Sequence, residues 1–143
     1  MVNAPFLAKE RGLDVREVRH DREGDYHTLV RVSVQTSQGE RSVAGTLFAN
    51  SQPRLVEIFG IKVEADLSDR MVYVVNEDAP GFIGRLGTTL GEAGVNIGTF
   101  HLGRRNTGGE AVLLLSVDQP VDGALEKVKA LPGVKTVKAL EFQ

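Results

Sequence analysis

Hydrophobic and polar positions alternate most clearly between Tyr26 and Thr36. Tyr26, Thr28, Val30, Val32 and Val34 face one way, and His27, Arg31, Ser33 and Gln35 face the other. That period of two predicts a half-buried strand. Ser37-Gln38-Gly39-Glu40 supplies a turn into a second strand, Arg41 to Phe48, and the apolar runs Arg54–Phe59 and Ile61–Ala65 predict two more. Ahead of them Met1 to Arg11 reads as a short helix. Asn3 is its cap, Pro5 sits in the first turn where a missing N–H is harmless, and Gly12 follows its end. Val15 and Val18 mark a short strand over Asp14–Arg19. After a polar linker, Asp66–Arg70, the pattern changes. It runs strand Met71–Val75, helix Phe82–Ala93, strand Val95–Gly103, strand Ala111–Val117, helix Gly123–Leu131 and strand Val134–Phe142. Asp122 caps the second of these helices and Pro132-Gly133 stops it. The order βαββαβ is the split βαβ, or ferredoxin-like, plan. The predicted fold is therefore α+β: a small antiparallel α/β subdomain over residues 1–66, then a ferredoxin-like domain over residues 71–143. Two helices would lie on one face of its sheet and leave the other face to be covered.

Glycines stand at positions 81, 84, 87, 91 and 94, just after the apolar strand Met71–Val75. A dinucleotide-binding turn needs G-x-G-x-x-G, with its first two glycines two apart so that backbone can approach a pyrophosphate. No two of these five have that spacing. At about 100° per residue, Gly84, Gly87, Gly91 and Gly94 instead form one stripe beside the apolar face of Phe82, Ile83, Leu86, Leu90 and Ala93. A glycine inside a helix costs about 1 kcal/mol relative to alanine, so the bare backbone suits close approach by another surface. The run reads as packing and small-ligand geometry.

Composition narrows the function by exclusion. A formal net charge of −2 gives no electrostatic footprint for nucleic acid. The apolar runs fall far short of the roughly 20 residues that span a bilayer. The absence of cysteine excludes disulfides and thiolate metal sites and fits a cytoplasmic protein. His20, His27 and His101 are not at metal-ligand spacing. No nucleophile elbow is present, and no paired carboxylates stand beside a base. Catalytic, cofactor-binding and metal sites are therefore not expected in this chain.

The chemistry that remains is at the turn before the first glycine. A helix beginning at Pro80-Gly81 presents unpaired amide N–H groups that can receive a carboxylate. Asp78 is a short anion suited to an ammonium group, and Asn96, beyond the far end of the helix, carries a donor and acceptors. A zwitterionic amino acid has the complementary set. The same residues also admit a purely structural reading. Asp78 could cap the helix, Asn96 could hold a turn, and Gly81 could relieve crowding. Arg104-Arg105 reads as a solvated strand end.

The second half resembles an ACT domain, a small regulatory module that binds amino acids at paired interfaces. The residues that carry the resemblance are Asn76-Glu77-Asp78-x-Pro80-Gly81-x-Ile83-Gly84, Gly94-Val95-Asn96-Ile97, His101-Leu102-Gly103-Arg104, Gly109-Glu110-Ala111 and Val117-Asp118. In the first half, Val2-Asn3-Ala4-Pro5-x-Leu7-Ala8-x-Glu10-Arg11-Gly12 and Gly45-Thr46-Leu47-Phe48 resemble the allosteric substrate-binding domain of D-3-phosphoglycerate dehydrogenases. Together the halves are similar to the C-terminal region of a long-form enzyme of that family. The resemblance implies a fragment without catalysis whose parent is an NAD-dependent dehydrogenase of L-serine biosynthesis, with the NAD-binding part upstream. It implies a homodimer or larger assembly, and an effector such as L-serine held by Asn76, Asp78, Gly81, Phe82 and Asn96. Enterobacterial serine-sensitive members carry histidine in place of Asn76 and asparagine in place of Asp78. Arg54 lies where the family can carry a basic residue for a phosphate. Two alternatives share the resemblance: the regulatory region of an iron–sulfur L-serine dehydratase, and a dimerisation module without effector. RNA binding by the ferredoxin-like sheet is disfavoured, because its middle strands offer a single phenylalanine, Phe100, for stacking.

Overall fold

The computed structural model describes residues 3–14, 16, 28–49 and 51–142. The chain forms α1 (Ala4–Glu10), β1 (Leu29–Thr36), β2 (Gly39–Phe48), β3 (Gln52–Ile58), β4 (Ile61–Asp66) and β5 (Arg70–Glu77). It continues through α2 (Phe82–Glu92), β6 (Ile97–Arg104), β7 (Glu110–Val117), α3 (Asp122–Lys129) and β8 (Val134–Glu141). The strand expected over Asp14–Arg19 falls largely outside the described residues, as do Tyr26 and His27. Strands β1-β2-β3-β4 make one antiparallel sheet in chain order, and β6-β7-β5-β8 make a second. The second order is that of the ferredoxin-like plan, so the α+β expectation holds.

The central strands of the second sheet, β5 and β7, are buried on both faces. Along β7, Ala111, Leu113, Leu115 and Val117 pack with Phe82, Leu86, Leu90, Ala124 and Val128 of the two helices. The alternate residues Val112 and Leu114 pack the other way, with Met71 and Val75, against Ile58, Ile61, Val63 and Ala65 of the first sheet. A strand enclosed on two sides needs a continuous apolar run, which is how β7 reads. The face left open by the helices is thus covered by β3 and β4 of the same chain. Gly103 permits this contact. A Cβ there would collide with the backbone oxygen of Lys62 and stand 3.0 Å from Ile61 Cγ2.

The first sheet has one apolar and one polar face. Val32, Val43, Ile58 and Ile61 stand opposite one another across its four strands. Ile58 and Ile61 are buried under the second sheet, whereas Val30, Val32 and Val34 are 67%, 56% and 49% exposed. The predicted half-buried β1 is therefore exposed on both faces, because the second sheet reaches only the β3–β4 end. On the polar face Arg31 and Glu57 form an ion pair across β2, over the buried Ala44 that lies between them in register.

Three local expectations are revised. Asn3 and Asp122 make no side-chain cap bonds. Asn3 supplies a backbone oxygen to Leu7 N at 3.0 Å, and Asp122 sits inside the first turn of α3, where its charge favours the helix dipole. The expected linker is shorter than Asp66–Arg70, because Asp66 ends β4 and Arg70 begins β5. Among the described residues, no helix is long and apolar enough to cross a membrane.

Candidate functional site

A cleft of about 350 Å³ opens where β5 turns into α2. Asn76, Asp78, Gly81 and Phe82 line it, joined by Arg104 from the end of β6. Asn76 reaches it by ordinary strand alternation, on the same helix-facing side of β5 as Val72 and Val74 and opposite Ala111 of β7. Only 2% of Asn76 is exposed. Its Nδ2 donates to Glu77 O at 2.6 Å, while Oδ1 is buried with no partner among the described residues. A buried acceptor without a donor costs about 1–3 kcal/mol, so a ligand N–H or O–H that meets it gains that amount.

Asp78 is held from both ends. Its backbone N–H donates to Gly109 O at 2.8 Å, and its Oδ2 accepts from Gly108 N at 3.3 Å and Arg104 Nη1 at 3.2 Å. It does not cap α2. That role falls to Gly81, in the left-handed region at φ 78°, without any side-chain cap bond. The amides of Ile83 and Gly84 have no backbone acceptor among the described residues. They are donors at the positive end of an 11-residue helix. Phe82 is buried in the core and anchors the turn.

Asn96 does not join this cleft within one chain. It lies past the far end of α2, where its Nδ2 donates to Asp118 Oδ2 at 2.6 Å and its N–H to Gln119 Oε1 at 2.7 Å. Arg54 is also engaged internally. Its Nε lies 2.9 Å from Asp66 Oδ1, a charge contact without hydrogen-bond alignment, and its guanidinium stacks 4.6 Å from the Phe48 ring centre. Arg104, read from sequence as part of a solvated strand end, is exposed at the end of β6 and also lines the cleft. Its register opposite Ala111 puts it on the helix-facing side. The motif His101-Leu102-Gly103-Arg104 contains it but does not name its partner, since Asp78 follows another strand, β5.

The cleft thus presents one anion, one cation, one orphaned acceptor and free helix amides over an apolar floor. Two family models match the chain. The D-3-phosphoglycerate dehydrogenase intervening domain matches residues 1–59 and the ACT domain matches residues 70–132. Each match covers less than half of the chain, and the two follow one another along it. It is 33% identical over 143 residues to a D-3-phosphoglycerate dehydrogenase of Methanocaldococcus jannaschii, covering 99% of this chain and 27% of that protein. It is 33% identical over 142 residues to the same-named protein of Bacillus subtilis, with 99% and 27% covered. The Synechocystis protein of that name is 32% identical over 135 residues, 94% of this chain and 24% of its own length. The chain therefore spans about a quarter of the curated relatives it matches. The cleft lies wholly within the residues that the ACT model matches, and β3 and β4 back its sheet.

Proposed function

We propose that this chain is the regulatory and assembly region of an NAD-dependent D-3-phosphoglycerate dehydrogenase, and that its ACT half binds a small amino acid, L-serine, at the β5–α2 turn. Residues 1–66 act as the end of the intervening domain and 71–143 as the ACT domain. The observation that carries the reading is Asn76 Oδ1, a buried acceptor without a donor beside the open amides of α2. In this reading the effector carboxylate takes the Ile83 and Gly84 amides, and its ammonium takes Asn76 Oδ1 and Asp78. Its side chain rests on Phe82. The intervening-domain match supports the dehydrogenase over an iron–sulfur dehydratase.

The chemistry of NAD is hydride transfer, and this chain's residues do not fit that cofactor. Both described sheets are antiparallel, and no parallel βαβ crossover supplies a pyrophosphate turn. In the proposed enzyme, NAD binds in the part of the polypeptide for which the relatives have room and this chain does not. A homodimer is part of the same reading. β6 is a sheet edge, and Phe100, Leu102 and Ile83 expose apolar surface beside the cleft. The deciding experiment is calorimetric titration of L-serine into the wild type, Asn76→Ala and Asp78→Ala, with light scattering on the same samples. Binding at or below millimolar concentration that each substitution weakens at least tenfold is expected. Equal binding by all three proteins places the effector elsewhere, and no heat for the wild type leaves assembly as the role of the ACT half.

A further inference from the structure

Arg104 and Arg105 are adjacent, yet they serve opposite faces of the ACT sheet. Arg104 turns toward the helices and pairs with Asp78 in the cleft. Arg105, one residue past β6, reaches over the other face and donates from Nη2 to Phe59 O of the intervening half at 2.8 Å. The acceptor lies in the two-residue β3–β4 hairpin turn, of the kind that needs a left-handed residue at both positions, with phenylalanine where asparagine or glycine is favoured. Phe59 adopts φ 51° and Gly60 φ 73°, so two consecutive residues are left-handed between β3 and β4. A non-glycine residue in that region is strained by on the order of 1 kcal/mol and persists only where its surroundings hold it. Here the surroundings are the Arg105 guanidinium, the edge of Tyr73 at 6.3 Å and Arg41 stacked 4.8 Å from the Phe59 ring centre.

We propose that the Arg104–Arg105 pair carries effector occupancy from the ACT cleft to the β3–β4 turn of the intervening half. The proposal rests on the effector reading of the cleft and adds how that site would be heard elsewhere. In the free cleft Asp78 holds Arg104 and the amide of Gly108, pinning both ends of the loop that follows β6. A zwitterion competes for both members of the ion pair, because its carboxylate attracts Arg104 and its ammonium attracts Asp78. Binding therefore exchanges the Asp78–Arg104 contact, and the shift at Arg104 is passed through one peptide to Arg105. The Arg105–Phe59 hydrogen bond then weakens, and the strained turn is released. The coupling needs no hinge between the domains, which suits the three-residue connection from β4 to β5.

The test is hydrogen–deuterium exchange of the peptide spanning Phe59–Ile61, whose Phe59 N–H donates to Ser42 O at 2.8 Å. Arg105→Ala should accelerate exchange there about tenfold, the weight of one hydrogen bond from a charged donor. Asp78→Ala and Arg104→Ala, both on the far side of the sheet, should each accelerate it several-fold. Asp78→Ala combined with Arg105→Ala should add nothing to Arg105→Ala alone, since groups acting through one contact are not additive. Fully additive effects, or a turn that ignores Asp78→Ala, overturn the proposal. With 10 mM L-serine as probe, calorimetric binding without altered exchange at the turn also overturns it. No calorimetric binding, with the Asp78→Ala response intact, rejects serine as the effector and leaves the coupling standing.

Discussion

Replacing Gly103 with alanine tests whether the two halves form one packed unit. The position is buried in β6, facing β4. An added Cβ would meet the Lys62 backbone oxygen and lie 3.0 Å from Ile61 Cγ2 and 3.1 Å from Val63 Cβ. None of these is the end of a flexible side chain, so β4 itself has to lift. Overpacking of this kind costs about 1–3 kcal/mol, and a backbone clash belongs at the upper end. Alanine suits a strand better than glycine by part of a scale that spans about 1 kcal/mol, which offsets some of the loss. A net destabilisation of about 1–2 kcal/mol follows, read as a lower urea midpoint. Exchange should locate it. Amides of β3 and β4 should lose protection first, because lifting β4 uncovers Ile61 and Val63 from Val112 and Leu114. Helix α2 and the β5–β7 pairing, held by the helix-side core, should keep theirs. A variant within about 0.5 kcal/mol of the wild type, the range of neutral surface changes, would refute the close approach of β4 to β6. A loss spread evenly over β5–β8 would refute the claim that this contact is where the halves join.

Three further substitutions probe separate features. Burial pushes the Tyr73 hydroxyl from 10.0 up to about 12, and no partner among the described residues receives it. The unfolded chain loses this proton first, so stability present below pH 10 falls as pH rises toward 12. Tyr73→Phe should remove that alkaline slope from urea midpoints and cost nothing at pH 8; a loss above about 1 kcal/mol there means the hydroxyl has a hydrogen-bond partner. The hydrogen bond from Arg31 is the main cause holding the Glu57 carboxyl below its ordinary 4.5. Its contribution is present above 4.5 and is lost as pH falls through the lower folded value. Glu57→Gln should flatten the acid limb of a melting-temperature profile, and an unchanged limb discounts the pair. No atom lies within 4 Å of where a Cβ on Gly91 would stand. Gly91→Ala should therefore stabilise the chain by up to about 1 kcal/mol, and a lower melting temperature would show the glycine stripe packed against another surface.

The parts of the fold legible in the sequence are those whose burial is decided locally. The apolar run Ala111–Val117 marks β7 as a strand, and the βαββαβ order gives the second sheet its strand sequence. The alternation in β1 was equally clear and yet misleading. Period-two patterning assigns Val30, Val32 and Val34 to one face but does not say how far a neighbouring sheet extends over it. The polar segment Asp66–Arg70 misled for a related reason. Charge was taken as a mark of a solvated linker, whereas Asp66 and Arg70 are strand ends facing Arg54 at 2.9 Å and Glu141 at 4.0 Å. A strand end on a polar face carries the same residues as a loop.

The candidate site divides along the same line. Asn76, Asp78, Gly81 and Phe82 fall within seven consecutive residues, and their convergence follows from a strand turning into a helix, which sequence can express. Arg104 comes to Asp78 only because β6, β7 and β5 pair in one particular register, and no motif encodes that pairing. Asn96 fails in the opposite way, since it is near in sequence but remote in space. The 11 residues of α2 separate it from Asn76 by about 16 Å of helix, more than one small amino acid can bridge. A site that used both asparagines would have to draw the second from another copy of the chain. In that case effector affinity and subunit association are linked by necessity, each strengthening the other. The Asn96 side chain already has Asp118 as its partner. A partner chain would therefore have to break that bond before using it, which makes Asn76 the stronger candidate to meet the ligand first.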